Sequence, residues 1–408
     1  MKIFNTFSGK KEKINLGERI GIYVCGITPD APAHLGHAFL FVTYDTLIRY
    51  LRFLGAKVTY VQNVTDIDDD ILIRSKKAGL SWEEMGNIQT KNYIKNMDAL
   101  NVVRPDFYPK ATENVGQMIT IIKKLVAKKL AYTKNGSVLG PQSERRGPQS
   151  SVYFSVLKDK NFGKLSKYDY PAMLEIANER GNFPEDPIKN NPLDFVLWQA
   201  KKEGEPSWPS PWGNGRPGWH IECSVMSMRY LGPTITIHGG GSDLIFPHHE
   251  AEIAQSQNVT GKKFVKAWMH TAMVFCEGKK MSKSLGNMIF ISDLIKKYSP
   301  NTIRILLLSH HYRNPWNFDE AELEKAEKII ATFKQALKGQ ALALAQHGKR
   351  PDLKYAQKYL PAFFKSLDDD FNTPAAIKVL EKAAKSKKPE TKAAVILAAS
   401  QIFGLNLS

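Results

Sequence analysis

Cysteine is scarce in this chain: Cys25, Cys223 and Cys276 are the only three in 408 residues. So few thiols exclude a disulfide framework and point to a reducing, cytoplasmic setting. No apolar run reaches the roughly 20 residues of a membrane-spanning helix, so no membrane partner is expected. The opening Met1-Lys2-Ile3-Phe4-Asn5-Thr6-Phe7-Ser8 is too short and polar for a secretory signal. Internal repeats and sustained heptads are also missing, which excludes a solenoid or a long coiled coil. Acidic residues are outnumbered, with 40 Asp and Glu against 57 Lys and Arg and a formal net charge of +17. A polyanionic partner such as nucleic acid accounts for that excess. A lysine-rich, well-solvated surface accounts for it equally. A hydrophobic content of 43% with 10% aromatics marks a globular chain, long enough for two or three domains.

Residues 20–26 (Ile-Gly-Ile-Tyr-Val-Cys-Gly) read as a short buried strand ending in a glycine turn. After a loop with Pro29 and Pro32, Phe39, Val42, Leu47 and Leu51 recur at helical spacing. They predict a helix from about Gly36 to Leu54, stopped by Gly55. Residues 57–63 are the next strand. A strand–loop–helix–strand unit predicts an α/β fold with a parallel sheet, and the active site of such a sheet lies beyond its carboxyl edge. Cys25, the histidines at 34 and 37, and Asn63–Asp66 fall at that edge. Residues 83–130 read as helical and open an insertion of roughly 83–193. Residues 134–151 read as a polar Gly/Pro/Ser loop. Residues 194–276 carry strand and turn signals, clearest at Thr234–His238. From Ile291 the pattern is helical, with a linker at Gly348–Lys354. The expected division is a catalytic domain over 1–290 and an all-helical domain over 291–408.

Two segments far apart in the chain suit phosphate chemistry. His34-Leu35-Gly36-His37 places two imidazoles at a helix start, where the helix amino end adds partial positive charge. Gly36, lacking a side chain, would let a flat base approach the backbone. Residues 277–287 (Glu-Gly-Lys-Lys-Met-Ser-Lys-Ser-Leu-Gly-Asn) form a basic loop between Gly278 and Gly286, suited to closing over a leaving pyrophosphate. Alone, the first segment reads as an ordinary helix cap and the second as a solvated basic turn. In this order and context they resemble the paired nucleotide signature of class I aminoacyl-tRNA synthetases. That resemblance implies attack of a carboxylate on the α-phosphate of ATP. His34, His37, Lys280 and Lys283 become the candidate catalytic residues that stabilise the developing charge, with Gly36 and Lys283 also contacting ATP.

The thiols suggest a second chemistry. Cys25 ends the first strand, and Cys223 lies in Gly218-Trp219-His220-Ile221-Glu222-Cys223-Ser224. If the chain is helical from 248, His248 and Glu252 share one face at i and i+4. Cys25, Cys223, His248 and Glu252 then form a candidate zinc set of two thiolates, an imidazole and a carboxylate. The spacing is no CxxC pattern, so a competing reading as merely buried, apolar cysteines stays open here. Cys276, beside Met273-Val274-Phe275, fits that competing reading. Zinc binds thiolate strongly and hydroxyl weakly. It would separate cysteine from serine, where a hydrophobic pocket gains only about 1–3 kcal/mol from a one-group difference.

Over about residues 15–380 the chain resembles the cysteinyl-tRNA synthetase family. The resemblance is carried by Tyr23-Val24-Cys25-Gly26, the histidine segment, and residues 60–69 (Tyr-Val-Gln-Asn-Val-Thr-Asp-Ile-Asp-Asp). It continues in residues 211–224 (Pro-Trp-Gly-Asn-Gly-Arg-Pro-Gly-Trp-His-Ile-Glu-Cys-Ser) and 238–250 (His-Gly-Gly-Gly-Ser-Asp-Leu-Ile-Phe-Pro-His-His-Glu). Residues 368–374 (Asp-Asp-Asp-Phe-Asn-Thr-Pro) complete it. The resemblance implies a Rossmann-type α/β catalytic domain split by an insertion and followed by a helical domain. It implies one Zn2+ on Cys25, Cys223, His248 and Glu252 that binds the substrate thiolate. It assigns Trp219, His238 and Thr65 to the amino-acid substrate, Asp243 to the ribose and Lys283 to ATP. L-cysteine, ATP with Mg2+, and tRNA(Cys) are the implied partners of a monomeric, AMP-forming cysteine–tRNA ligase.

Three features depart from that pattern. Ile27-Thr28-Pro29-Asp30-Ala31-Pro32 replaces the family's aromatic–acid pair. Thr236 stands where an aspartate is usual. The chain stops at Ser408, so the small anticodon-binding module is expected to be absent or reduced. With His310-His311-Tyr312-Arg313, these features resemble the related cysteine ligase of mycothiol biosynthesis, which joins cysteine to glucosaminyl-inositol. Glu252, Ile253-Ala254-Gln255-Ser256 and the basic charge resemble the tRNA enzyme instead. The tRNA ligase is the expectation and the sugar ligase its alternative. A silent RNA-binding paralogue would show damage in the histidine or lysine segment, and both are intact.

Overall fold

A computed structural model of the chain describes residues 1–17, 19–135, 150–281, 285–338 and 359–407. An antiparallel hairpin, β1 (Lys2–Asn5) and β2 (Lys10–Lys13), leads to β3 (Ile20–Ile27), α1 (Leu35–Phe53) and β4 (Val58–Val64). Helices α2 (Asp69–Ala78), α3 (Trp82–Ala99) and α4 (Val115–Ala127) follow. Next come β5 (Ala131–Asn135), β6 (Ser150–Phe154), α5 (Tyr170–Asn178), β7 (Phe195–Ala200) and β8 (Gly215–Pro217). The chain returns through α6 (Trp219–Leu231), β9 (Ile235–Gly241), α7 (Glu250–Thr260) and β10 (Val265–Thr271). Short strands β11 (Val274–Cys276) and β12 (Lys279–Lys280) precede α8 (Ile291–Lys297), α9 (Pro300–Leu308) and β13 (Trp316–Phe318). The tail is α10 (Glu320–Leu337), α11 (Leu360–Asp368), α12 (Thr373–Ala384) and α13 (Pro389–Phe403).

The central sheet runs β10–β9–β3–β4, and all its strands are parallel. β3 is apolar on both faces because the sheet is covered on both sides. Alternation sorts its residues: Ile20, Ile22 and Val24 enter one core with α1, while Tyr23 and Cys25 enter the other with Ile221 and Cys223 of α6 and Ala251 of α7. The chain leaves β3 toward β4 on one side and reaches β9 on the other. A switch point therefore opens between the carboxyl ends of β3 and β9. The pairing of β3 with β4 slips between Val24 and Ile27, so Cys25 and Gly26 sit in a bulge, a device that re-aims side chains next to sites. Only glycine fits at 26, since a Cβ there would lie 1.7 Å from the Asn63 carbonyl oxygen.

A second sheet, β5–β6–β7–β8, is antiparallel and reaches Pro217, beyond the end of the expected 83–193 insertion. Tyr93 and Met97 of α3 pack instead in the α1 core. The strand-and-turn reading of 194–276 missed α6, and it held α7 only as the conditional helix from 248. Ile221 through Ser227 and Glu250 through Ser256 are all buried, which erases the amphipathic period that marks a helix. β13 also interrupts the helical end, because three residues are too few to carry a periodic signal. The linker read at Gly348–Lys354 and residues 136–149 of the polar loop lie outside the described residues.

The tail helices share the α1 core, where Leu47 and Leu51 join Phe363, Leu380 and Phe403 in one apolar cluster. Arg304 of α9, fully buried, ties this junction together. Its Nε donates to the Phe403 carbonyl at 2.6 Å, Nη1 to the Leu100 carbonyl at 2.9 Å, and Nη2 to Asp45 of α1. Asp45 also accepts from Arg49 at 2.9 Å and from the Val103 amide at 2.7 Å. Removing one partner of such a buried pair strands a charge, at a cost of about 3–5 kcal/mol. Arg304→Ala is expected to lower unfolding free energy by that amount in urea titration. A loss below about 1 kcal/mol would show that the pair does not hold the junction.

Candidate active site and metal centre

The bulge in β3 turns Cys25 toward α6 and α7, and four side chains meet there. Cys25, Cys223, His248 and Glu252 are all buried, and their ligand atoms all lie within 4.8 Å of one another. The two sulfurs are 3.7 Å apart, far outside the ~2.05 Å of a disulfide. A tetrahedral centre with metal–sulfur bonds near 2.3 Å would set them about 3.8 Å apart. Cys25 Sγ is 3.7 Å from Glu252 Oε1, and His248 Nε2 is 3.4 Å from the same oxygen. His248 and Glu252 meet because the Ile245–His249 turn, kinked at Phe246 (φ −137°, ψ 136°), leads into α7. The donor set and its spacing fit a tetrahedral thiophilic cation such as zinc.

Electrostatics agree with the geometry. Burial pushes the Cys25 thiol well above its ordinary range, helped by Cys223 beside it, and burial pushes the Glu252 carboxyl well up. Burial, then the nearby imidazoles of His220 and His238, push His248 well down. Each group is therefore driven to its neutral form in the absence of a cation, and a cation would reverse the preference of the thiol and the acid.

Further histidines surround the quartet. His238 of β9 sits with Nε2 3.0 Å from Glu252 Oε2. His249 Nε2 is 3.2 Å from Cys25 Sγ, and its Nδ1 is 2.8 Å from His270 Nε2, whose Nδ1 meets Thr6 Oγ1 at 2.8 Å. His220 Nδ1 lies 3.0 Å from His248 Nδ1, and the Trp219 ring stacks on His248 at 4.3 Å. Among the described residues, Cys25, His238, His249 and Glu252 form a second, overlapping group able to hold a cation. His220, His249 and His270 escaped the sequence reading, although the adjacent pair His248-His249 was a visible signal for one of them. Thr65 is buried at the end of β4 and accepts from Asn63 Nδ2 at 3.2 Å. Asp243 is half-buried just past the glycine triplet, and its carbonyl accepts from Arg180. Thr236, at the departure noted above, accepts from the Gly21 amide at 3.2 Å and so braces β3 against β9.

The histidine segment opens α1 as a cap. His34 Nδ1 accepts from the Gly36 amide at 3.1 Å, His37 Nδ1 accepts from the His34 amide at 3.3 Å, and the rings lie 3.9 Å apart. A Cβ at Gly36 would come within 2.9 Å of the His34 ring, so the bare position already makes room for that cap. The segment that follows the basic loop is anchored to the same turn. The Leu35 amide donates to the Ile289 carbonyl at 2.8 Å, the Ile291 amide to the Ala33 carbonyl at 3.0 Å, and Met281 is buried beside Gly36. Lys280 is exposed on β12. Lys283 lies outside the described residues.

Comparison with known proteins places this geometry. The family description "tRNA synthetases class I (C) catalytic domain" matches residues 12–328, and "DALR domain" matches residues 362–407. The chain belongs to the class I cysteinyl-tRNA synthetase family. It is 43% identical over 390 residues to the cysteine–tRNA ligase of Thermodesulfovibrio yellowstonii, covering 93% of this chain and 77% of that one. It is 44% identical over 384 residues to the cysteine–tRNA ligase of Escherichia coli K12, covering 93% and 78%. The fold is that of Mycobacterium tuberculosis methionyl-tRNA synthetase in complex with methionyl-adenylate, with a TM-score of 0.65 at 14% identity over 94% of this chain and 89% of that one. A synthetase of this class uses ATP.

The buried histidines make a pH prediction. Burial pushes His238 and His270 down to about 3 and His220 down to about 4. In the unfolded chain they titrate near 6.5, so between those values the unfolded state binds more protons and stability falls as pH falls. Metal-stripped protein is expected to melt at progressively lower temperature from pH 7 to pH 4.5, and His270→Gln should flatten part of that decline. A flat melting profile would mean that the folded protein protonates these rings.

Proposed function

We propose that this chain activates L-cysteine with ATP and passes it to the 3′ end of tRNA(Cys). The observation that carries the reading is the two-thiol quartet at the same sheet edge as the ATP-type histidine turn. Class I chemistry alone names adenylation. A centre of two cysteines, a histidine and a glutamate names the amino acid, because it suits a zinc ion that grips a thiolate.

In the first step a carboxylate oxygen of cysteine attacks the α-phosphorus of ATP. The bond to the bridging oxygen breaks, and pyrophosphate leaves with the electron pair. The carboxylate is already ionised at neutral pH, so no general base is required. His34, His37, Lys280 and Lys283 stabilise charge on the phosphates. Capping engages Nδ1 of both histidines. Asp243 holds the ribose, Gly36 faces the nucleotide, and Mg2+ accompanies ATP. Trp219, His238 and Thr65 wall the amino-acid pocket, Trp219 by stacking on His248. When bound to Cys25, Cys223, His248 and Glu252, zinc supplies a soft Lewis-acid contact for the substrate thiolate and so sets cysteine apart from serine. In the second step the terminal ribose hydroxyl of tRNA attacks the cysteinyl carbonyl, AMP leaves, and the hydroxyl proton passes to solvent or phosphate.

Glu252 contacts His238, and its carboxylate also faces His248 and Cys25, which favours the tRNA enzyme over the amino-sugar alternative. Three free thiols support a reducing, cytoplasmic setting, and a monomer is the proposed state. No helix among the described residues is long and apolar enough to cross a membrane.

Cys223→Ser is expected to release zinc, read by metal analysis, and to cut the preference for cysteine over serine by about 10–100-fold in ATP–pyrophosphate exchange. Retained metal with unchanged selectivity would remove the zinc assignment. Purified enzyme supplied with cysteine, ATP and either tRNA or glucosaminyl-inositol is expected to load the tRNA. Cysteine appearing on the sugar instead would overturn the acceptor.

A further inference from the structure

Asp370 of the tail sits at a crossing that neither the ATP site nor the metal centre uses. It is 1% exposed, and both it and Phe371 hold left-handed backbone, with φ of 59° and 53°. For non-glycine residues such a conformation persists only where surrounding contacts enforce it. Its amide donates to the Lys2 carbonyl at 2.9 Å. Its Oδ1 accepts from the Phe4 amide at 2.8 Å and from the Tyr312 hydroxyl at 2.7 Å. Its Oδ2 accepts from Arg313 through both Nε, at 2.7 Å, and Nη2. The Arg313 guanidinium also lies 4.4 Å over the Phe4 ring. One carboxylate therefore joins the tail, the first strand and the Tyr312-Arg313 pair.

That pair leads directly to the hairpin that carries Lys280. The Tyr312 carbonyl accepts from the Ala272 amide at 2.7 Å, so the segment is pinned between Asp370 on one side and the end of β10 on the other. Three residues past Arg313, β13 pairs with β11 in parallel, Val274 opposite Trp316 and Cys276 opposite Phe318. At the hairpin turn the Gly278 amide donates to Asn317 Oδ1 at 2.7 Å. β11 in turn pairs with β12, Phe275 opposite Lys280. The exposed basic hairpin rests on β13, and β13 follows from a segment locked by the tail.

We propose that Asp370 is a positioning residue for the adenylation step: through Tyr312, Arg313 and β13 it sets where the β11–β12 hairpin holds Lys280. The proposal rests on the assignment of Lys280 to the ATP step. A lysine displaced by a fraction of an ångström from its phosphate loses transition-state stabilisation while the cysteine pocket is untouched. Asp370→Asn keeps an acceptor for Phe4 and Tyr312 and removes the charge opposite Arg313.

The test is ATP–pyrophosphate exchange with the full chain, at a temperature where circular dichroism shows each variant folded. Asp370→Asn is expected to lower kcat on the order of tenfold with KM for cysteine and zinc content unchanged, and Tyr312→Phe to lower it less in the same direction. Lys11→Ala removes the neighbouring exposed pair with Asp369, 2.6 Å long, and is expected to leave the rate alone. Asp370→Asn added to Lys280→Ala is expected to cost nothing more, because both act through one group. A folded Asp370→Asn with wild-type kcat, a raised KM for cysteine at unchanged kcat, or losses that multiply with those of Lys280→Ala would each overturn the proposal. If Asp370→Asn does not fold, Tyr312→Phe decides by the same readings. Wild-type exchange in Lys280→Ala would defeat the role of Lys280 and this proposal with it, whereas slow Lys280→Ala beside normal Asp370→Asn defeats this proposal alone.

Discussion

Burying an acid and two thiols among histidines is the constraint on which the rest of the structure depends. Out of water, Glu252 and Cys25 favour their neutral forms and the histidines lose their protons. Such a cluster is costly unless its members satisfy one another or share a cation. The fold meets that demand with a bulge in β3, the buried stretches 221–227 of α6 and 250–256 of α7, and a kinked turn at 245–249 that leads into α7 and brings His248 to Glu252. The surrounding contacts, from Thr6 through His270 and His249 to Cys25, extend the network to the first loop of the chain.

A second consequence concerns the junction between the sheet and the tail. Residues hundreds of positions apart share one core around α1, with Arg304 and Asp370 as its polar fasteners. The histidine turn opens the same α1 that carries Asp45. The site and the tail are thus held by one rigid helix rather than by a linker, and packing at one end of it constrains geometry at the other.

Where signals were local, they were legible. β3, α1 and β4 lie within two residues of their sequence-read bounds because a strand buried on both faces, an amphipathic period and a stopping glycine at 55 each act over a few residues. His248 and Glu252 were found by i and i+4 spacing. α6 was not found and α7 was read only as a condition of that pairing, since burial of 221–227 and 250–256 leaves those stretches no polar face to show a period. His249 and His270 were invisible as partners, because the pair is closed by strand β10 lying beside β9 in the sheet. The histidines at 34 and 37 read as either cap or ligand, and their Nδ1 atoms do cap α1.

The sequence by itself determined the reaction class and the donor chemistry. Two imidazoles at a helix start, a lysine loop, and cysteines with a histidine and a glutamate are statements about side-chain types, which spacing preserves. Only the tertiary structure decided that these groups meet. Cys25 and Cys223 come within 3.7 Å because β3 and α6 share one face of the sheet. The basic loop reaches the histidine turn because, just after the loop, the Ile289 carbonyl accepts from the Leu35 amide and the Ile291 amide donates to the Ala33 carbonyl. Proximity between residues far apart in the chain is set by sheet order and by burial on a common face, and neither is written in any local stretch of sequence.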